Sequence, residues 1–267
     1  MRTPFTLLLL ALLCFQANAQ DWTATVAQQR RTVDFTLPAN PYKSTSDITT
    51  ASLFKQTKPG TFLGGSLSYT SSVTDVASIS GRVTSSAGAG SLFVLHSLTP
   101  SLLVDANIGY GNIALDNSYL SGITRVTYAG KSDLLMAGTG LTQVVPISTT
   151  LTGSLTARYT QIKTTSKSYT DSTGLVTPEA GNSFGFGAFG GGLSWRLGKW
   201  EPSARLNWNV ANKEFNLGTN DKDYFSYSLG SGYALSASTK LNLSYSGVAA
   251  KAYSKENALM ISLRTAF

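Results

Sequence analysis

Trp200-Glu201-Pro202-Ser203-Ala204-Arg205-Leu206-Asn207-Trp208-Asn209-Val210 alternates without a slip. Trp200, Pro202, Ala204, Leu206, Trp208 and Val210 fall on one parity, and Glu201, Ser203, Arg205, Asn207 and Asn209 on the other. Successive side chains of a β-strand point to opposite faces, so this stretch reads as a strand with one greasy side and one wet side. The period recurs in both directions along the chain. Leu63, Gly65, Leu67 and Tyr69 alternate with Gly64, Ser66, Ser68 and Thr70, and Val104, Ala106, Ile108 and Tyr110 alternate with Asp105, Asn107, Gly109 and Gly111. Leu241, Leu243 and Tyr245 alternate with Lys240, Asn242 and Ser244, and the sequence ends with Leu259, Ile261, Leu263, Thr265 and Phe267 on one parity.

A secreted β-sandwich also alternates, but it turns Lys, Glu and Thr to solvent. Here the second face is mostly Gly, Ser, Thr and Asn, the small polar groups that suit a narrow lumen. Only 13% of the 267 residues are charged and 10% are aromatic, against about 25% charged in an average soluble domain. Disorder is excluded by the aromatics, and a polytopic helical transporter by the mean hydropathy of +0.01.

The connections alternate as well. Short turns at 98–101, 146–149, 198–199 and 236–239 are interleaved with longer polar segments at 73–82, 115–122, 164–181 and 211–222. That order predicts an all-β, antiparallel up-and-down transmembrane barrel with tight periplasmic turns and long outer loops. Strands over 62–73, 84–97, 102–114, 123–145, 150–163, 182–197, 200–211, 223–235, 239–250 and 257–267 make about 10, and Thr32–Leu37 with Ile48–Lys55 would make 12.

Residues 1–19 read as a signal peptide. Arg2 gives a positive start, Phe5–Phe15 an apolar run too short to span a bilayer, and Ala17-Asn18-Ala19 a small-residue cleavage site. Loss of Arg2 with this segment lowers the net charge from +7 to +6, and Cys14, the one cysteine, leaves with it. Disulfides and thiolate chemistry are thereby excluded from the mature chain. Residues 20–60 are expected to form a plug, a tail or two extra strands, and 61–267 the barrel. Nucleic acid is not expected as a partner, since Arg30-Arg31 is the longest basic cluster.

Alternation assigns the side chains. Asp105, Asn107, Arg158, Arg196, Glu201, Arg205, Asn207, Asn209, Lys240, Asn242 and Arg264 are expected to line the lumen. Tyr69, Tyr110, Tyr159, Trp195, Trp200, Trp208, Tyr233 and Tyr245 are expected at the membrane interfaces, where amphipathic rings settle. Charges on the inner face require water or ion partners, and the excess of Arg over acid predicts a weak anion preference.

The terminal strand Leu259–Phe267 resembles the signature that bacterial outer-membrane proteins present to their insertion machinery, with Leu263 and Phe267 as its carriers. The resemblance implies a Gram-negative outer membrane, with membrane lipid and that machinery as partners. Phe62–Asp75, Leu102–Asp116 and Phe189–Val210 more loosely resemble the autotransporter translocator barrel, through a Gly-rich strand ending in Tyr, Ile108-Gly-Tyr-Gly and Gly192-Leu-Ser-Trp-Arg-Leu-Gly. Those proteins carry a long passenger, whereas about forty residues precede strand 62–73 here, so passenger secretion is not expected.

Enzymatic chemistry has little to stand on. His96 is the one histidine, it falls near a periplasmic turn, and no acid sits at a distinctive spacing from it. Gly64-Gly65 and Gly190-Gly191-Gly192 lack the Lys-Ser/Thr of a phosphate loop. Asn220, Asp221 and Asp223 read as a solvated acidic turn. The expected function is a narrow or occluded outer-membrane pore without a cofactor, structural or passing small solutes. A surface-binding barrel acting through loops 74–83, 115–122, 164–181 and 212–222, or a translocator-like barrel, stands as the alternative. The oligomeric state is left open.

Overall fold

The computed structural model describes residues 22–37, 41–213 and 222–267. The signal-peptide reading of 1–19 and the reading of Asn220 and Asp221 lie outside these residues. Alternating segments become strands because each buries a ladder edge on both sides and presents its apolar parity outward. In chain order they are β1 (Trp22–Phe35), β2 (Tyr42–Lys58), β3 (Thr61–Val76), β4 (Gly81–Thr99), β5 (Leu102–Ser121), β6 (Thr124–Pro146) and β7 (Leu151–Ser166). A two-residue pair, β8 (Tyr169–Thr170) and β9 (Val176–Thr177), follows. Then come β10 (Ala180–Trp195), β11 (Trp200–Ala211), β12 (Asp223–Ala234), β13 (Thr239–Ala249) and β14 (Ser254–Ala266).

All but β8 and β9 form one closed antiparallel barrel in which each strand pairs with its neighbours in sequence and β1 closes on β14. The strand count is twelve, the larger of the two expected numbers. Residues 22–35 and 42–58 supply the two additional strands. The segment 123–145 stays one strand, β6, with Gly130 inside it.

Closure sets Trp22, where the described residues begin, beside the terminal Phe267: the Trp22 amide donates to the Phe267 carbonyl and the Phe267 amide to the Trp22 carbonyl, each at 2.9 Å. Turns at this end are tight. In three of them a hydroxyl accepts two backbone amides: Thr99 from Ser101 and Leu102, Ser148 from Thr150 and Leu151, Ser236 from Ser238 and Thr239. Hydroxyl side chains so placed take over backbone donors that the ladder leaves unpaired.

At the opposite end two of the expected loops, 73–82 and 115–122, are shorter than their polar composition suggests, because the strands continue through them. β3 runs to Val76, β4 starts at Gly81 and β5 reaches Ser121, so only 122–123 join β5 to β6. Within 164–181, the β8–β9 hairpin folds back onto the wall: Ser172 N donates to Thr127 O at 2.9 Å and the Ser172 hydroxyl accepts from Thr127 N at 3.0 Å. Above Ser132, where β6 no longer pairs with β7, this loop covers the free edge.

The apolar core is small. Among the described residues, Ala24, Val26, Phe35, Val126, Ala211 and Ala258 are the buried apolar ones, while Leu67, Leu92, Ile108, Leu155, Leu206 and Leu229 are all more than half exposed. A soluble protein would not leave this much apolar surface wet. Cohesion comes from a ladder without edges, the solution that satisfies every backbone polar group in hydrocarbon.

Candidate functional site

The outer face carries a belt marked by rings. Tyr69, Tyr110, Tyr159 and Trp208 each lie eight positions after the first residue of β3, β5, β7 and β11, all strands that rise from the chain-end side. Eight residues at about 3.3 Å, on strands tilted about 40°, climb roughly 20 Å. Trp195, Trp200 and Tyr233 mark the lower limit on β10–β12, the last two with ring centres 4.8 Å apart and planes tilted by 56°. Leu63, Leu67, Leu92, Ile108, Leu155, Leu206 and Leu229 lie exposed on the same face.

The upper rings point their polar tips away from the belt. Tyr110 donates to Asp133, Tyr159 to Gln161, Tyr245 to Asn257 and the Trp208 indole to Asp223. A ring with one apolar and one wet end settles where hydrocarbon meets headgroup. All eight sequence-expected aromatics therefore share the outer face.

The opposite parity faces the interior and brings the expected charges together in specific pairs. Arg158 Nη2 donates to both oxygens of Asp105 at 2.7 and 2.8 Å. The two residues sit on β7 and β5, with Gly140 of β6 between them in register. A Cβ at Gly140 would fall 2.8 Å from Asp105 Oδ1, so only glycine leaves the bridge its path. The same device joins β13 to β11. Lys240 Nζ donates to Glu201 Oε2 at 2.6 Å across Gly232 of β12, and the Ser194 hydroxyl donates to Glu201 Oε1 at 3.0 Å.

Asn209 donates to the Ser226 hydroxyl at 3.0 Å, and Asn242 to the Ser262 hydroxyl at 3.3 Å. Asn107 and Asn207 cover Gly138 and Gly190 of the adjacent strands. Arg205 reaches over Gly192 and Arg264 lies 5.4 Å from the Phe54 ring centre; among the described residues neither has a carboxylate partner. Arg196 lies just past the end of β10 in the chain-end turn, close enough for its charge to act on Glu201.

Two features were not legible in the alternation alone. One is a cluster at the far end, where Glu256 accepts from Arg31 and from Lys251 at 2.6 Å. Arg31 lies in a stretch too polar to read as a strand, and Lys251 in a turn. The other is a cavity of about 600 Å³ on the projecting wall, lined by Arg82, Asp116, Asn117, Tyr128 and Asp171 among others. The Asn117 amide donates to the Tyr128 hydroxyl at 2.8 Å, and its buried Oδ1 has no hydrogen-bond partner among the described residues. His96 Nδ1 shares a 2.9 Å hydrogen bond with the Thr61 hydroxyl. Among the described residues no group of His, Cys, Asp and Glu is arranged to hold a metal.

No protein-family model and no curated protein match the sequence. Solved structures do match. The translocator domain of autotransporter NalP from Neisseria meningitidis superposes with a TM-score of 0.84 at 12% identity, covering 98% of this chain and 94% of that one. The fold is that of an outer-membrane β-barrel. The beta domain of the Bordetella autotransporter BrkA gives 0.74 at 17% identity over 93% and 100% of the two chains. The toluene transporter TbuX of Ralstonia pickettii gives 0.56 at 9% identity over 94% and 90%. The autotransporter-like segments noted in the sequence thus sit in a barrel of the same architecture.

Proposed function

We propose that this chain is an outer-membrane pore of a Gram-negative envelope, passing small anionic solutes passively. The observation that carries the reading is the interior charge. Arg31, Arg158, Arg205, Lys240 and Arg264 share the inner face with Asp105, Glu201 and Glu256, and among the described residues no carboxylate pairs with Arg205 or Arg264. Cations without partners persist only in water. A twelve-strand ring lies between the eight strands that fill themselves with side chains and the sixteen that leave an aqueous channel, and small Gly, Ser and Thr residues on this face favour the open state.

The belt of exposed leucines between ring girdles supports the membrane location. Leu263 and Phe267, on the strand that closes the barrel, are the proposed contacts for the insertion machinery. Passage through a barrel of this shape agrees with the toluene transporter among the structural neighbours. Single-channel recording in a planar bilayer tests the reading, using protein that shows the gel-mobility shift of a folded barrel. Steady steps of conductance are expected, and a silent membrane overturns it.

The far-end cavity favours a second reading, recognition of a surface ligand by the β8–β9 hairpin and the β4–β6 wall. Asn117 Oδ1 offers such a ligand an acceptor with no partner among the described residues. Deleting 168–178 is expected to leave conductance intact while removing ligand binding to whole cells; binding that survives the deletion excludes the hairpin.

A further inference from the structure

The inner face has two unlike walls in its chain-end half, and on the pore reading above they define which anions pass. In this half the inner parity of β2–β4 carries rings where the other strands carry mostly small, amide or charged side chains; the further inner rings, such as Phe184 and Phe186 of β10, stand in the opposite half. Phe54 meets Phe62 edge-on at 6.3 Å and Phe93 at 6.2 Å. Leu95 follows Phe93 on the same parity and pairs with Phe62. All four side chains are only partly buried, so their apolar surface opens into the barrel. Gly64 makes the group possible: a Cβ there would stand 2.5 Å from both Phe54 Cβ and Phe93 Cζ.

The facing arc, β7 and β11–β14, carries Arg158, Arg205, Lys240 and Arg264 on its inner parity. The two walls meet at β1. Thr25 there pairs with Arg264 on one side and Ser52 on the other. These small residues let the Arg264 guanidinium lie 5.4 Å from the Phe54 ring centre. Its charge has no carboxylate among the described residues, and its aromatic neighbour is itself open to the lumen.

An uncompensated guanidinium beside exposed rings is complementary to a molecule that is anionic at one end and apolar at the other. A carboxylate takes the planar fork of Arg. A ring attached to that carboxylate takes the apolar wall, where aromatic pairs gain stabilisation beyond the area they bury. Sites that hold small molecules are commonly built this way, apolar with a few placed polar groups. We infer that the lumen selects aromatic carboxylates over equally charged anions lacking a ring, with Phe54, Phe62 and Phe93 holding the ring and Arg264 the carboxylate.

The test compares benzoate with acetate in reversal-potential measurements on the folded protein in planar bilayers. Acetate is the smaller and more mobile ion, so a featureless anion pore favours it. Wild type is expected to give a benzoate-to-acetate permeability ratio above one, about threefold or more for a ring contact and cation of this kind. Phe54→Ser with Phe93→Ser should bring the ratio below one while chloride remains preferred over potassium. Should that double variant fail to fold, Phe93→Leu, which keeps the apolar bulk and removes one ring, should lower the ratio part of the way.

A wild-type ratio at or below one overturns the inference while leaving the anion pore standing. A ratio that the Phe variants do not change overturns the assignment to these rings. A wild-type membrane that carries no current overturns the pore itself, and the selectivity with it.

Discussion

At the scale of single residues, the interior is organised by pairs that skip a strand. Arg158–Asp105 and Lys240–Glu201 each cross a glycine, and the two differ in exposure. Asp105 is 17% exposed, so Arg158→Ala strands a half-buried carboxylate and is expected to cost about 1–3 kcal/mol. Lys240 and Glu201 are 33% and 39% exposed, and Lys240→Ala should cost only about 0.2–1 kcal/mol. Urea unfolding in detergent, followed by tryptophan fluorescence, reads both; equal losses would contradict the difference in burial. Alternation was enough to place these charges on the inner face, because parity is a local property. It carried no information on pairing, since partners 53 and 39 residues apart meet only through the register of three strands. Phe62 shared its parity with Gly64 and Ser66 and so was legible as an inner ring, whereas Phe54 and Phe93 sit in runs apolar on both parities, Leu53-Phe54 and Leu92-Phe93-Val94.

At the scale of elements, strand boundaries follow the membrane more than the chain. β11 ends three residues beyond Trp208, but β5 continues eleven residues beyond Tyr110, roughly 28 Å of wall above the belt at about 3.3 Å per residue and a tilt near 40°. Once a strand leaves the lipid neither face needs to be greasy, the period of two vanishes, and polar strand reads as loop. That is why 73–82 and 115–122 looked like loops and why Trp22–Phe35, with its Gln28-Gln29-Arg30-Arg31, was hard to see. A protein retaining only Trp208 is expected to be quenched more by lipids brominated near the headgroup than by those brominated at the chain end. Strongest quenching at the bilayer centre would misplace the upper girdle.

The β8–β9 hairpin has its own pH dependence. The Thr173 hydroxyl, with the backbone amides of Thr173, Leu175 and Gly174, holds the Asp171 carboxyl below its free value of 3.8. A carboxyl lowered in the folded state stabilises the turn fully above the free value, and that contribution fades as pH falls through the lower, folded one. Amide resonances of Thr173 and Leu175 are expected to titrate together with a midpoint below 3.8; a midpoint above it would show that these donors do not favour the charged form.

At the scale of the whole molecule, a closed ladder replaces a core. Twelve strands, closed where β1 pairs with β14, make a wall whose outside carries an apolar belt and whose inside is polar with more basic than acidic side chains. The architecture was readable because alternation repeats in every strand, while the exact count depended on two strands at the weak, polar start of the chain. The central claim is that the basic interior surrounds a water-filled, anion-passing path. The measurement that tests it most directly is the zero-current potential across a planar bilayer under a tenfold KCl gradient, for wild type and for Arg205→Glu with Arg264→Glu. The account predicts chloride preference in wild type and a change of sign towards potassium in the double variant. An unchanged potential in that variant, with conductance intact, would contradict it.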